Sequence, residues 1–300
     1  MKLLLFGKDG QVGWELQRAL ATVGDVISSD QGELDFECPD ELRQWVRRHA
    51  PDLVVNAAAY TAVDQAESEP ERARRINADS VGVLAEEAAR LGAWLVHYST
   101  DYIFDGEKPA PYDEDDPAGP LSVYGQTKWE GEERIRAAHS RHLIFRTSWV
   151  YAARGKNFIR TIFRLAQERD RLDVVADQHG APTSAELIAD VTALAVHRLR
   201  AHPHPVTLGG TYHLVAGGET TWHGLALAVV EAAQACGVTV KAGPEAIRPI
   251  PTEGYPLPAR RPRNSRLNTA KLAGAFHVHL PEWRDSVHRA VRELAERGRP

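Results

Sequence analysis

Short apolar runs recur through the first half of the chain, at residues 2–6, 26–29, 52–56, 94–99 and 142–146. Runs this short, without strict alternation, fit strands buried on both faces. The segments between them change period. Residues 11–20 place Val12, Leu16 and Leu20 on one side of a helix, and residues 75–91 do the same with Ile76, Val83, Leu84, Ala88 and Leu91. Strands alternating with helices predict an α/β fold with a parallel sheet covered on both faces. After about residue 150 the rhythm loosens, and Pro244, Pro249, Pro251, Pro256, Pro258 and Pro262 crowd a stretch that excludes continuous helix or central strand. The expected division is a sheet domain over 1–150 and a smaller, loop-rich lobe over 151–300. That lobe would include helices at 185–199 and 221–235, and some of its segments would return to the first domain.

Composition narrows the class. A chain of 300 residues with 43% hydrophobic content can bury a large core, and 36 Lys and Arg against 41 Asp and Glu leave no basic excess for a phosphate backbone. Nucleic acid is therefore not an expected partner. No segment approaches the roughly 18 apolar residues needed to cross a bilayer, and the apolar run of MKLLLF stops at Gly7, so no membrane association is expected. Cys38 and Cys236 are isolated, as suits reduced thiols in the cytoplasm.

The first run leads directly into Gly7-Lys8-Asp9-Gly10-Gln11-Val12-Gly13, a GxxGxxG loop that opens a helix. Glycines there let backbone approach a pyrophosphate, whose charge the helix N-terminus meets. Glycines also serve plain strand-to-helix packing, but this placement after the first strand favours a dinucleotide and a Rossmann-type, doubly wound sheet. Asp30 follows the second run, where an acidic side chain accepts hydrogen bonds from an adenosine ribose, or simply closes a turn. Asp35 and Phe36 are placed to flank an adenine, and the small residues of Asn56-Ala57-Ala58-Ala59 let a cofactor lie against backbone.

Tyr124 and Lys128, four apart, share a helix face. A free phenol titrates near ~10, and a neighbouring ammonium lowers that value. Such a pair suits a Tyr that donates a proton to a carbonyl oxygen while hydride arrives at carbon. Thr100 ends the fourth run, where ligands of open α/β sheets lie, and its hydroxyl can hold the same oxygen. Either feature alone is common; Gly loop, strand-end Ser-Thr and Tyr-x-x-x-Lys in this order are not.

With those motifs in view, the chain resembles the extended short-chain dehydrogenase/reductases, and among them the dTDP-4-dehydrorhamnose reductases. The resemblance runs nearly end to end, through GKDGQVGWELQRAL, VVNAAAYTAVDQAESEPE, GAWLVHYSTDYIFDG and VYGQTKWEGE, and more specifically through HLIFRTSWVYA, DQHGAPTSAELIAD, YHLVAGGETTWHG and YPLPARRPRNSRLNT. It implies reduction of dTDP-4-dehydro-L-rhamnose to dTDP-L-rhamnose with NADPH or NADH. By the same resemblance Gly10, Gln11, Val12, Asp30, Asp35, Phe36, Ala59, Tyr60, Thr61, Tyr98, Tyr124 and Lys128 contact the cofactor, and Thr100, Asp101 and Trp149 contact the sugar. Trp149 can lay its indole on the sugar's apolar face, although a core tryptophan would look the same in sequence. Arg261 is a candidate clamp for the substrate's diphosphate, or an ordinary surface arginine. The resemblance further implies a homodimer with magnesium near its interface, for which Glu15, Glu186 and Glu293 are the matching carboxylates; each is equally an exposed helix residue.

Two rival activities remain. One is a sugar-nucleotide epimerase or dehydratase, which shares the Gly loop and Tyr-x-x-x-Lys; the dehydratases that this chain resembles place Asp-Glu after the strand-end Thr, whereas Tyr102 follows Asp101 here. A non-catalytic regulatory subunit is the other, and the joint presence of Thr100, Tyr124 and Lys128 weighs against it.

Overall fold

In a computed structural model, which describes residues 1–297, six parallel strands form the central sheet. They are β1 (Lys2–Phe6), β2 (Asp25–Ser29), β3 (Leu53–Asn56), β4 (Trp94–Thr100), β5 (His142–Thr147) and β6 (Gly210–His213). Their order across the sheet is β6, β5, β4, β3, β1, β2. The chain runs outward from β1 to β2, then crosses back to β3 on the other side. That reversal opens a crevice beyond the carboxyl ends of β1 and β3.

Burial on both faces explains why β1 reads as an unbroken apolar run. Leu3 and Leu5 point into one core with α1 (Gln11–Leu20), while Leu4 and Phe6 point into the other with α2 (Pro39–His49). The second core also takes Leu84, Ala85 and Ala88 of α3 (Ser80–Leu91) and Ile135 of α4 (Val123–Ala138). The doubly wound parallel sheet expected from the pattern is present.

A third apolar cluster joins α5 (Phe158–Glu168), α7 (Trp222–Ala235) and α8 (Trp283–Arg297) around Ile159, Ile162, Leu225, Val229, Trp283 and Val287. Beside it the proline-rich stretch yields only short elements, among them a strand at Ile247–Ile250 paired with Leu172–Val175. One expectation is corrected. The helix at 185–199 does not lie in this cluster: as α6 (Ala185–Ala201) it packs Ile188, Val191, Ala195 and Leu199 against Leu16 and Leu20 of α1. Sheet face and helix face match through contacts far apart in sequence, and periodicity carries no information about which face a helix will cover.

The helix read as one piece at 75–91 is two. Arg75–Asp79 is a π-turn leading into α3. The wider turn brings Asn77 inward, where Oδ1 accepts from Tyr60 N–H at 2.9 Å and Nδ2 donates to Tyr60 C=O at 3.1 Å. It thereby fixes the loop carrying Tyr60 and Thr61 at the crevice.

Candidate active site

The glycine loop is built by exclusion. Gly7 has φ +82°, and a Cβ there would stand 2.8 Å from Ala58 N, against the loop after β3. At Gly13 a Cβ would stand 1.9 Å from Gly7 C=O, so only glycine lets α1 begin this close to β1. The first turn of α1 has no acidic residue and no side-chain cap, leaving its N–H groups to meet an anion. This cradle fits a dinucleotide pyrophosphate.

A cavity of about 830 Å³ runs from the cradle along the carboxyl ends of the strands. Gly7, Gly10, Gln11, Val12, Asp30, Asp35, Phe36, Ala59, Tyr60, Thr61, Tyr98, Thr100, Asp101, Tyr124, Lys128 and Trp149 all line it. Of the residues expected at cofactor and sugar, only Gly13, which packs behind the loop, and Arg261 do not. Asp30 is also the turn residue weighed against a ribose ligand: Oδ1 accepts from Gly32 N–H at 2.7 Å and Glu33 N–H at 3.1 Å. Lys8 lies between Asp30, at 3.5 Å, and Glu33, at 2.6 Å.

Ser122 caps α4 through Gly125 N–H, so the helix starts just before Tyr124 and points its first turn at the cavity. Burial pushes the Tyr124 phenol up to about 12, with the Thr100 hydroxyl partly offsetting it. The expected lowering by Lys128 is not what this arrangement shows. Lys128 Nζ instead donates to Tyr98 C=O at 2.6 Å and lies 3.2 Å from His97 Nε2, because these groups on β4 reach the buried amine first. Burial brings its pKa down to about 8, and the Glu132 carboxylate opposes that.

Thr100 also differs from expectation in one respect. Its hydroxyl donates to Asp101 Oδ1 at 3.1 Å and accepts from Tyr102 N–H at 3.2 Å. Asp101 is fully buried, its Oδ2 has no partner, and burial lifts its pKa to about 6 against the help of Ser265 and Thr100. A buried acceptor left open beside the cavity is suited to a ligand hydroxyl.

Trp149 adopts φ +48°, rare for a large side chain, and stacks on Trp222 with centroids 3.7 Å apart. Gly180 makes room: a Cβ there would come within 2.7 Å of the indole. Trp222 borders a second cavity of about 1380 Å³, lined by Arg169, Arg260, Arg263, Tyr255 and Phe158, so the two cavities meet at the indole pair. Arg261 lies in that second cavity with its guanidinium already forked on Asp64, at 3.1 and 2.8 Å. Asp64, His97 and Trp222 were missed by sequence reasoning, and Asn56 and Tyr102 were read only as part of a small-residue strand end and as the residue standing where a dehydratase has Glu. All five stand inside quoted motifs, but nothing local marks their partners.

Glu15, Glu186 and Glu293 border one small cavity of about 110 Å³. Each is matched by an arginine: Glu15 by Arg18 at 3.5 Å, Glu186 by Arg289 and Glu293 by Arg297. Among the described residues no group of three or more His, Cys, Asp or Glu is placed to hold a metal. Among the described residues the magnesium expectation therefore finds no prepared site, and each of the three carboxylates faces a guanidinium group.

A parallel doubly wound sheet, a glycine cradle at its switch point and a Tyr-Lys helix face beside a strand-end Thr define a nicotinamide-dependent reductase of the short-chain dehydrogenase type. Residues 1–296 match the model of the RmlD substrate binding domain family. A dTDP-4-dehydrorhamnose reductase of Shigella flexneri is 50% identical over 298 residues, covering 98% of each chain. Among solved structures, a reductase of the same name from Clostridium acetobutylicum is 34% identical with a TM-score of 0.89, covering 98% of this chain and 99% of that one. Another from Bacillus anthracis, in complex with NADP, is 32% identical with a TM-score of 0.88, covering 97% and 99%. The chain belongs to the dTDP-4-dehydrorhamnose reductase family.

Proposed function

We propose that the chain reduces the 4-keto group of dTDP-4-dehydro-β-L-rhamnose, giving dTDP-β-L-rhamnose, with Tyr124 as proton donor. The observation that carries this reading is the convergence of Tyr124, Thr100 and Lys128 on the cavity that begins at the glycine cradle. NADPH or NADH supplies the hydride when bound. The α1 N-terminus and Gly7, Gly10, Gln11 and Val12 hold its pyrophosphate, Asp30 a ribose, and Asp35 and Phe36 the adenine end. Lys128 holds the other ribose.

Tyr124 gives its proton to the sugar oxygen as charge develops there. Thr100 steers that oxygen once a ligand hydroxyl competes for Asp101. The sugar lies against the Trp149 indole, and its nucleoside diphosphate extends past Trp222 into the arginine-lined second cavity. Arg261 serves there by tying residues 259–261 to Asp64, so its clamp role gives way to a structural one.

The same reading includes a homodimer in the cytoplasm. The dimer is supported by the Trp14 indole, 48% exposed beside the small carboxylate cavity, and sedimentation at micromolar concentration tests it. Among the described residues no helix is long and apolar enough to cross a membrane.

Reduced cofactor deuterated at C4 of its nicotinamide tests the chemistry. Deuterium should appear at C4 of the sugar product, and its absence from the sugar would overturn the assignment.

A further inference from the structure

His97 is fully buried on β4, and the reduction as described gives it no task. Its surroundings leave little freedom. Asn56 Oδ1 accepts from the backbone N–H of Ala58 at 3.1 Å, and a backbone N–H has no other way to bond, so the amide orientation is set. Asn56 Nδ2 then faces His97 Nδ1 at 3.1 Å as a donor. The ring must accept there, which puts its single proton on Nε2 when the imidazole is neutral. Burial, and then the charge of Lys128, hold the ring's pKa well below the usual value, so neutral it is.

Nε2–H points at Lys128 Nζ, 3.2 Å away. An ammonium has only donors, and two donors cannot share this bond. A neutral amine can: its lone pair accepts from His97 while one of its hydrogens goes to Tyr98 C=O at 2.6 Å. Charging Lys128 requires the ring's proton to exchange to Nδ1, and the Asn56 amide to turn and release Ala58 N–H into the cavity. Ala58 lines that cavity against Gly7.

We propose that His97, held by Asn56, is a positioning residue that sets whether Lys128 carries a proton, and that it links this proton to the backbone of the cofactor loop. The proposal rests on the reading of Lys128 as a cofactor ligand. Binding a reduced cofactor, which brings hydroxyl acceptors to Lys128 and acceptor oxygens to the loop, then draws a proton from solvent onto the amine.

The other groups around the amine are few. Glu132, one turn along α4, favours the charge, but its carboxylate is held by Arg146 of β5 at 2.7 Å and by Arg136 at 2.9 Å. Tyr98 and Tyr124 are neutral phenols, with burial pushing both upward. His97 is the neighbour whose bond reverses with its tautomer.

Two measurements on the full chain test this without relying on turnover. With ¹⁵N-labelled histidine, long-range proton–nitrogen correlation should show His97 protonated at Nε2 in the cofactor-free protein at about pH 9 to 10, where Lys128 is neutral, and at Nδ1 once the amine is charged below about 8; protonation at Nδ1 throughout, or at Nε2 throughout, overturns the proposal. The His97→Gln variant assigns the resonance.

The second is NADPH affinity against pH. In the native chain it should weaken above about 8, where Lys128 loses its charge. In Asn56→Asp a carboxylate accepts from both Ala58 N–H and His97 Nδ1–H, turning Nε2 into an acceptor. The weakening should move up by about one pH unit. A purely structural role would lower affinity at every pH and leave that limb in place, which also overturns the proposal.

Discussion

Replacing Asp101 by Asn should make the protein more stable at neutral and alkaline pH while damaging sugar binding. The carboxyl is fully buried, and burial raises its pKa from 3.8 to about 6. A group raised on folding favours the folded state only while it is protonated. At pH 8 both states are ionised, and the folded one carries the full cost of about two pH units, or roughly 3 kcal/mol. The cost shrinks as pH falls from about 6 and is gone below the unfolded value. Asn keeps an oxygen for the Thr100 hydroxyl, which bonds Asp101 at 3.1 Å, and carries no charge. Urea unfolding at pH 8 should therefore show the variant more stable by up to about 3 kcal/mol, with the gain vanishing near pH 4. A variant less stable at pH 8, or a gain equal at both pH values, would refute the reasoning. The predicted gain means that the wild-type residue is kept for its open Oδ2 acceptor, and the Michaelis constant for the sugar nucleotide should rise in the variant.

Tyr124→Phe should leave cofactor affinity nearly unchanged and lower turnover by about 10²-fold or more, as expected for loss of a general acid; near-normal turnover would end its assignment as proton donor. Trp149→Ala removes the indole stacked on Trp222 and should raise the Michaelis constant for the sugar nucleotide more than that for the cofactor; equal effects in steady-state kinetics would return Trp149 to a packing role. Glu132→Gln leaves the buried Arg146 guanidinium, 2% exposed, without its counter-charge and should cost about 3–5 kcal/mol in urea unfolding; a loss under about 1 kcal/mol would contradict that.

Much of the cofactor half was legible because its chemistry is local. The glycines at 7, 10 and 13 lie within one turn of backbone, and Tyr124 and Lys128 within one turn of helix, so spacing alone places them together. Helix 185–201 was misplaced because its apolar face would fit either core, and the choice is made by Leu16 and Leu20 more than 160 positions away. Arg261 was read as free because its partner Asp64 stands 197 positions earlier. The three glutamates stayed open between a metal set and exposed helix residues because their matching arginines, Arg18, Arg289 and Arg297, leave no mark on carboxylate spacing. The pull of Tyr98 C=O and His97 on Lys128 was equally hidden, since it depends on which atoms of β4 face α4.

The stoichiometry of a single assay tests the reductase assignment most directly. Purified chain supplied with dTDP-4-dehydro-β-L-rhamnose and NADPH should oxidise one cofactor for each dTDP-β-L-rhamnose formed, and supplied with dTDP-glucose it should form no 4-keto-6-deoxy sugar. Appearance of that keto sugar from dTDP-glucose without net oxidation of NADPH would contradict a reductase at Tyr124 and mark the site as one that eliminates water.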